Sequence, residues 1–311
     1  MSTRLDCSSI DLHLAREHYE DDIKEGLVWL RMEWDEFYKQ SERLEIYKEY
    51  IEKLLNVGKA FWCYHDTQYL EAEKNEQMKR KEAPRHICEY KNKSERGGEK
   101  EKGIIRLAVD ENSQKVIHFQ DIIRGTIEFD QKVIGDLSIA KDLNTPLYNF
   151  AAVVDDHETD ISHVIRGEDH IPNTPRQILI SEALGFQLPE FAHLPLILGA
   201  DKSKLSKRHG ATSIIEYKKD YLPDALVNFM SSIGYTYSKD ISSLDEMVEE
   251  FELSKVHKSG AVFNVEKLNW LNGQYVKKLS SEKLKELTCI KNLPEKALPL
   301  VTERLEKLSD I

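Results

Sequence analysis

Asn149-Phe150-Ala151-Ala152-Val153-Val154-Asp155-Asp156-His157 is a nearly continuous apolar run closed by three polar residues, and His163-Val164-Ile165 leads in the same way into Arg166-Gly167-Glu168-Asp169-His170. Each run reads as a parallel strand covered on both faces, because such strands lose the in–out alternation of a half-exposed sheet. Asn173-Thr174-Pro175 then opens a helix with proline in its first turn, Ile178, Leu179 and Ala183 form its apolar face, and Gly185 ends it. Strand, polar strand end and helix in this order predict an α/β fold, whose open sheets bind ligands at the carboxyl ends of their strands.

Working outward, Ile23, Leu27 and Leu30 recur at helical spacing within 19–34. Ser41 is placed to cap a second helix that carries Leu44, Tyr47, Ile51, Leu54 and Leu55 and stops at Asn56-Val57-Gly58. Residues 61–64 read as a buried strand, 70–81 as a charged helix and 91–102 as a polar loop containing glycine. Short strands at 104–109, 116–119 and 126–129, separated by polar turns, suggest a small inserted β-rich unit. Beyond Lys207 the pattern is helical, through Ala225, Leu226, Phe229 and Met230, then 244–251 and 265–275, and finally charged amphipathic helices over 280–311.

With 311 residues and 40% hydrophobic content the chain has material for two or three domains. It contains no run of 18 apolar residues and does not open on a secretory signal, so a cytoplasmic location and no membrane contact are expected. The net charge of -11 argues against a general nucleic-acid binder, which must neutralise many phosphates. Any polyanion is instead expected at local basic clusters: Lys79, Arg80, Lys81 and Arg85; 91–102; and Lys202 to Arg208. Cys7, Cys63, Cys88 and Cys289 lie far apart, the pattern of free thiols or metal ligands. Cys63 and His65, with His86 and Cys88, could supply a tetrahedral zinc site. The degenerate spacing favours the other reading, buried thiols and surface histidines.

Asp201-Lys202-Ser203-Lys204-Leu205-Ser206-Lys207-Arg208-His209-Gly210 packs four cations into seven residues between Gly199 and Gly210. Such a loop can fold over a polyphosphate and neutralise charge moving onto a leaving pyrophosphate. Leu205-Ser206-Lys207-Arg208 resembles the second signature loop of class I aminoacyl-tRNA synthetases, and 204–210 resembles its form in the glutamyl branch. Thr145 to Ala151, Val153 to His157, Val164 to His170 and Phe191 to Ile197 reproduce a long ordered block of the glutamyl-tRNA synthetase family. Trp34-Asp35-Glu36, Gln40 to Arg43, Ile122-Ile123-Arg124-Gly125 and 265–273 extend it, so the resemblance runs from about Tyr19 to the last residue.

This resemblance implies a class I synthetase Rossmann-like catalytic domain with a β-containing insertion, followed by a mainly helical region. It divides the chain into 1–60, the remainder of the first catalytic half; 61–140, an acceptor-binding insertion; 141–210, the second catalytic half; 211–280, a helical stem-contact region; and 281–311, the start of an anticodon-binding domain. The implied reaction is ATP-dependent formation of glutamyl-adenylate and transfer of glutamate to the 3′ end of tRNA(Glu), by a monomer that uses ATP with Mg2+. Both steps bring anions together, so cations and positioning carry them.

Lys204 and Lys207 are the implied catalytic cations, and Ser206, Arg208, Asp169 and the backbone of Leu196 and Ile197 the further ATP contacts. Tyr148, Arg166 and His170 form the implied glutamate pocket, with a guanidinium fork well shaped for a carboxylate. Against these stand a structural pairing of Arg166 with Asp155 or Asp156, Tyr148 as core, and His170 as a helix-entry residue. The family's first His-Ile-Gly-His-like signature has no counterpart between Met1 and Ile311, so this stretch is expected not to form the adenylate alone. The alternative functions are a glutamyl-transferring tRNA-modification paralogue and a non-catalytic tRNA-binding remnant.

Overall fold

The computed structural model describes residues 4–7, 17–92, 103–206, 213–288 and 302–310. Its helices are α1 (Glu17–Trp29), α2 (Leu44–Asn56), α3 (Thr67–Lys79), α4 (Tyr148–Glu158), α5 (Thr174–Leu184), α6 (Ile214–Tyr217), α7 (Pro223–Ser231), α8 (Leu244–Glu250), α9 (Val265–Val276) and α10 (Ser281–Thr288). The strands are β1 (Arg4–Cys7), β2 (Glu36–Lys39), β3 (Ala60–Cys63), β4 (Ile104–Leu107), β5 (Val116–Asp121), β6 (Gly125–Asp130), β7 (Leu137–Asp142), β8 (Thr145–Pro146), β9 (His163–Gly167), β10 (Glu190–Leu194), β11 (Ile197–Leu198) and β12 (Ala261–Val262). The chain forms two compact units, Met1–Ala15 with Asp35–His193, and Arg16–Trp34 with Leu194–Ile311.

The first unit is built on two four-stranded sheets, ordered β6-β5-β10-β9 and β3-β4-β7-β8, with β1 and β2 as a separate parallel pair. The strands of 104–130 therefore do not make a sheet of their own. β4 is antiparallel between β3 and β7, while the β5–β6 hairpin joins the other sheet through β5 parallel to β10, with Phe191 opposite Asp121. The alternating burial of β5 explains this: Ile117, Phe119 and Asp121 face inward, and Ile117 and Phe119 enter the same core as Phe191 and Ile178.

The apolar run at 149–154 is helical, not the strand expected. A run this short and this apolar has no decisive period, and here packing decides. Phe150, Ala151, Val153, Val154 and Asp155 are all buried, so the helix is covered on more than one face, by α2, α5 and β7. Leu147 is extended just after Pro146, and α4 starts at the next residue. Ser41 does not cap α2. Residues Gln40–Glu42 form a 3-10 turn and α2 follows Arg43 without a side-chain cap. The helix at α5 has the expected proline start, and Gly185 ends it in the left-handed region at φ +78.

The second unit is mainly helical. Leu30, just past the end of α1, packs with Tyr221, Leu226, Phe229, Leu268 and Leu271, and a second cluster joins Leu222, Val276, Leu284 and Leu305. Ser213 and Ser243 open α6 and α8 as capping boxes with Glu216 and Glu246. Among the described residues no helix is long and apolar enough to cross a membrane.

Candidate active site

In the first unit the polar ends of neighbouring strands converge. Arg166 lies at the end of β9, His193 in β10, Asp121 at the end of β5, and Thr174 and Gln177 on the first turns of α5. Arg166 is half-buried. Its Nε donates to His193 Nε2 at 3.2 Å, and its Nη2 donates to Thr174 Oγ1 at 2.9 Å and Gln177 Oε1 at 2.7 Å. All these partners are neutral, and no carboxylate of the described residues forms an ion pair with the guanidinium. Burial accordingly lowers the Arg166 pKa, against the opposing charges of Tyr148 and Asp156 and a hydrogen bond to Tyr148.

The alternative pairing of Arg166 with Asp155 is overturned. Asp155 points elsewhere, taking Arg43 Nε at 2.7 Å, Gln40 Nε2 at 2.9 Å and Tyr47 Oη at 2.7 Å. Gln40 and Arg43, part of a stretch read from resemblance, thus serve the fold. Tyr148 begins α4 half-buried, with its ring 6.0 Å from that of His170, whose Nδ1 lies 3.3 Å from Asn173 Nδ2. Asp169 is exposed and folds back over Gly167, where a Cβ would lie 2.6 Å from Asp169 Oδ1.

The residues missed in the sequence are Asp121, His193, Thr174 and Gln177. Asp121 and His193 are fully buried side chains joined at 2.6 Å between Oδ2 and Nδ1. Asp121 Oδ1 also accepts from the backbone N–H groups of Ile123 and Arg124. Arg124 in turn reaches the His193 carbonyl at 3.1 Å and Glu168 at 2.6 Å. The one available signal was that Asp121 immediately precedes Ile122-Ile123-Arg124-Gly125 and His193 lies within Phe191 to Ile197, both stretches already singled out.

These shifts set a pH dependence. Burial holds His193 below its usual 6.5, partly opposed by Asp121, with Arg166 and Arg124 also disfavouring its cation. Burial raises the Asp121 carboxyl, but hydrogen bonds from the His193 ring and from nearby backbone amides outweigh it, leaving it below the usual 3.8. Both groups bind fewer protons folded than unfolded, so their contribution is complete above pH 6.5 and is lost as pH falls, first through His193 and then through Asp121. The Tm of the chain is expected to drop as pH is lowered from 7 to 5, and a His193→Phe chain to show a flatter slope over that window.

In the second unit Ile197 lies in β11, parallel to β12. A tight turn over 199–203, closed by Gly199 N–H to Ser203 O at 2.8 Å, brings Leu205 N–H back to Ile197 O at 2.9 Å and Lys204 opposite Leu198. Lys202 sits at φ 61 in that turn. Leu196, Ile197, Lys204 and Ser206 therefore share one hairpin, with Lys204 exposed. Lys207 and Arg208 lie outside the described residues.

Cys63, His65, His86 and Cys88 also come together, with their donor atoms all within 4.8 Å of one another. The thiols are buried as expected, but the histidines are not surface groups: their side chains are each 8% exposed. β3 and the turn into α3 supply one pair and the segment leading from α3 the other. The proximity of the two thiols, each acting on the other, pushes the Cys63 pKa down and the Cys88 pKa up. His86 Nδ1 meets Glu73 at 2.6 Å, which turns its Nε2 toward Cys63.

Residues 9–270 match the family model for the catalytic domain of class I tRNA synthetases (E and Q). The chain belongs to that family, and its α/β class is the one expected of it. The glutamate--tRNA ligase of Desulforamulus reducens is 44% identical over 294 residues, 89% of this chain and 61% of that protein. That of Aquifex aeolicus is 43% identical over 309 residues, 96% of this chain and 63% of that protein. The chain thus spans about three fifths of the length of these curated relatives. Among solved structures, the glutamate-tRNA synthetase from Elizabethkingia anophelis superposes with a TM-score of 0.85 at 32% identity, covering 99% of this chain and 72% of that one. A glutamate tRNA ligase from Elizabethkingia meningosepticum in complex with its amino acid gives 0.84 at 32%, covering 99% and 71%.

Proposed function

We propose that this chain carries the glutamate-recognising and ATP-handling portion of a glutamate--tRNA ligase, with glutamate, ATP with Mg2+ and tRNA(Glu) as substrates, acting as a monomer in the cytoplasm. The observation that supports this reading best is Arg166: a half-buried guanidinium at a strand end whose hydrogen-bond partners, Tyr148 included, are all neutral, with Asp156 acting on it through its charge alone. A buried cation without a counter-ion is costly unless a ligand supplies one. In this reading Tyr148 and His170 line the same pocket and Asp169 stands at its nucleotide side. Leu196 and Ile197 offer backbone to the adenine, and Lys204, Ser206, Lys207 and Arg208 neutralise the triphosphate as pyrophosphate leaves. Residues 61–140 take the acceptor end of the tRNA.

Arg166→Ala is expected to weaken glutamate binding to the purified chain by about 2–3 kcal/mol, the value of charge-assisted hydrogen bonds lost at a buried site. Titration calorimetry with glutamate and with glutamine measures this. Unchanged glutamate affinity, or equal affinity for glutamine in the parent chain, overturns the assignment and leaves the tRNA-binding remnant as the better reading.

A separate observation favours a structural metal in the Cys63, His65, His86 and Cys88 cluster. Tetrahedral zinc, with Zn–S near 2.3 Å and Zn–N near 2.0–2.1 Å, separates sulfur from nitrogen by about 3.6 Å. Cys63 Sγ to His65 Nδ1, Cys63 Sγ to His86 Nε2 and Cys88 Sγ to His65 Nδ1 are each 3.6 Å. Glu73 on His86 and Glu89 near His65 Nε2 are the carboxylate partners that orient metal-bound imidazoles. The four residues fit zinc, which would cross-link β3 to the segment following α3. Cobalt added to the chelator-treated chain is expected to give the absorption of a tetrahedral thiolate site, and Cys88→Ser to abolish it. An octahedral spectrum in the parent chain would refute the assignment.

A further inference from the structure

Arg166 can meet a carboxylate only if something dictates which way its guanidinium is turned. Besides Tyr148, three contacts do so, and two of them, Thr174 Oγ1 and Gln177 Oε1, are ordinary acceptors for Nη2. The third is unusual. His193 Nε2 must accept from Arg166 Nε–H at 3.2 Å, which an imidazole does only when the proton sits on Nδ1. We propose that Asp121 and His193 form a positioning pair that orients Arg166 for the substrate carboxylate by holding the imidazole in the Nδ1–H tautomer. This inference rests on the reading of Arg166 given above.

The geometry specifies each proton. Asp121 Oδ2 lies 2.6 Å from His193 Nδ1 and 3.0 Å from the His193 backbone nitrogen, so that oxygen accepts from both. Its other oxygen is held by the N–H groups of Ile123 at 3.0 Å and Arg124 at 2.8 Å. The carboxylate therefore cannot rotate away, and Nδ1 carries the proton. Nε2 is left with a lone pair, shared between Arg166 Nε–H and the Thr174 hydroxyl at 3.2 Å. The ring is wholly buried and flanked by Asp121 and by the cations Arg166 and Arg124, and burial keeps it neutral near pH 7. A doubly protonated ring would turn an N–H against Arg166 Nε–H.

Asp121→Asn separates this role from mere packing. Two backbone N–H groups, of Ile123 and Arg124, hold the amide oxygen against the single His193 N–H on the other side, so the amide NH2 faces His193 and donates to Nδ1. The proton moves to Nε2, the Arg166 contact becomes donor against donor, and the guanidinium turns away. Changing a buried carboxylate to an amide beside a histidine has this tautomeric effect in serine proteases. Misdirecting a substrate-holding group costs on the order of tenfold or more.

Two measurements on the 311-residue chain test the proposal. Long-range 1H–15N correlations of the labelled histidines, with His193 assigned by substitution, are expected to show Nδ1 protonated and Nε2 bare in the parent chain and the reverse in Asp121→Asn. Glutamate titration is expected to show at least an order of magnitude weaker binding for Asp121→Asn. A protonated Nε2 in the parent chain overturns the proposal even if the variant does not fold, and so does unchanged glutamate affinity in a folded Asp121→Asn. The parallel titration of Arg166→Ala keeps the two readings apart. If that variant binds glutamate normally, the carboxylate assignment of Arg166 has failed, whereas a large Arg166 effect beside a silent Asp121→Asn defeats the positioning pair alone.

Discussion

Asp155→Ala is expected to destabilise the chain by about 3–5 kcal/mol, the cost of leaving a buried charge without its partner. The carboxylate is the common acceptor for Arg43, Gln40 and Tyr47, and the Arg43 side chain is 14% exposed and that of Asp155 8%. Arg43 Nη2 already has no hydrogen-bond partner, so deletion leaves a guanidinium, an amide and a phenol without their shared acceptor. The pairing is strong enough to raise the Arg43 pKa despite burial. Denaturant unfolding gives the measurement. Because the residues act as a unit, the double variant Arg43→Ala, Asp155→Ala is expected to lose less than the sum of the single losses. Additivity would mean that the cluster contributes nothing as a pair.

Phe150→Ala is expected to have a loss of similar size, about 3–5 kcal/mol, through the cavity left by a large ring in a close-packed core. Phe150 is 0% exposed on α4 and shares its core with Tyr47, Ile51 and Ile178. The neighbouring Ala152, only half-buried on the same helix, is the control: Ala152→Ser is expected to stay within about 0.5 kcal/mol, as changes away from such features do. Equal losses at the two positions would argue against the helical register of α4. Thermal and denaturant unfolding with glutamate absent keep this test independent of any ligand.

What was legible in the sequence and what was not follow from the range over which each signal acts. The proline start and glycine stop of α5 are local chemistry and could be read directly, as could the strand before Arg166. The run at 149–154 could not, because whether an apolar hexapeptide becomes strand or helix depends on what covers it, and of the covering elements α2, α5 and β7 the first is remote in sequence. Arg166 was legible as a site residue by its type and its place at a strand end. Asp121 and His193 were not, since 72 residues separate two side chains that act only as a pair. The thiols and imidazoles at 63–65 and 86–88 are legible as metal-ligand types but not as a cluster. Spacing along the chain says nothing about four donor atoms meeting within 4.8 Å.

The membership of α1 in the second unit bears on how the chain is made. Trp29 closes α1 and Leu30 follows it, yet the cluster they join, with Leu226, Phe229, Leu268 and Leu271, is translated some two hundred residues later. At roughly 5–20 residues per second, the apolar face of α1 waits on the order of ten seconds or more before its partners exist. The first unit, by contrast, can close once β10 has emerged. Synthesis therefore leaves α1 uncovered while residues 35–193 are already able to pack, and that exposed helix is where a holding chaperone or a premature contact would act.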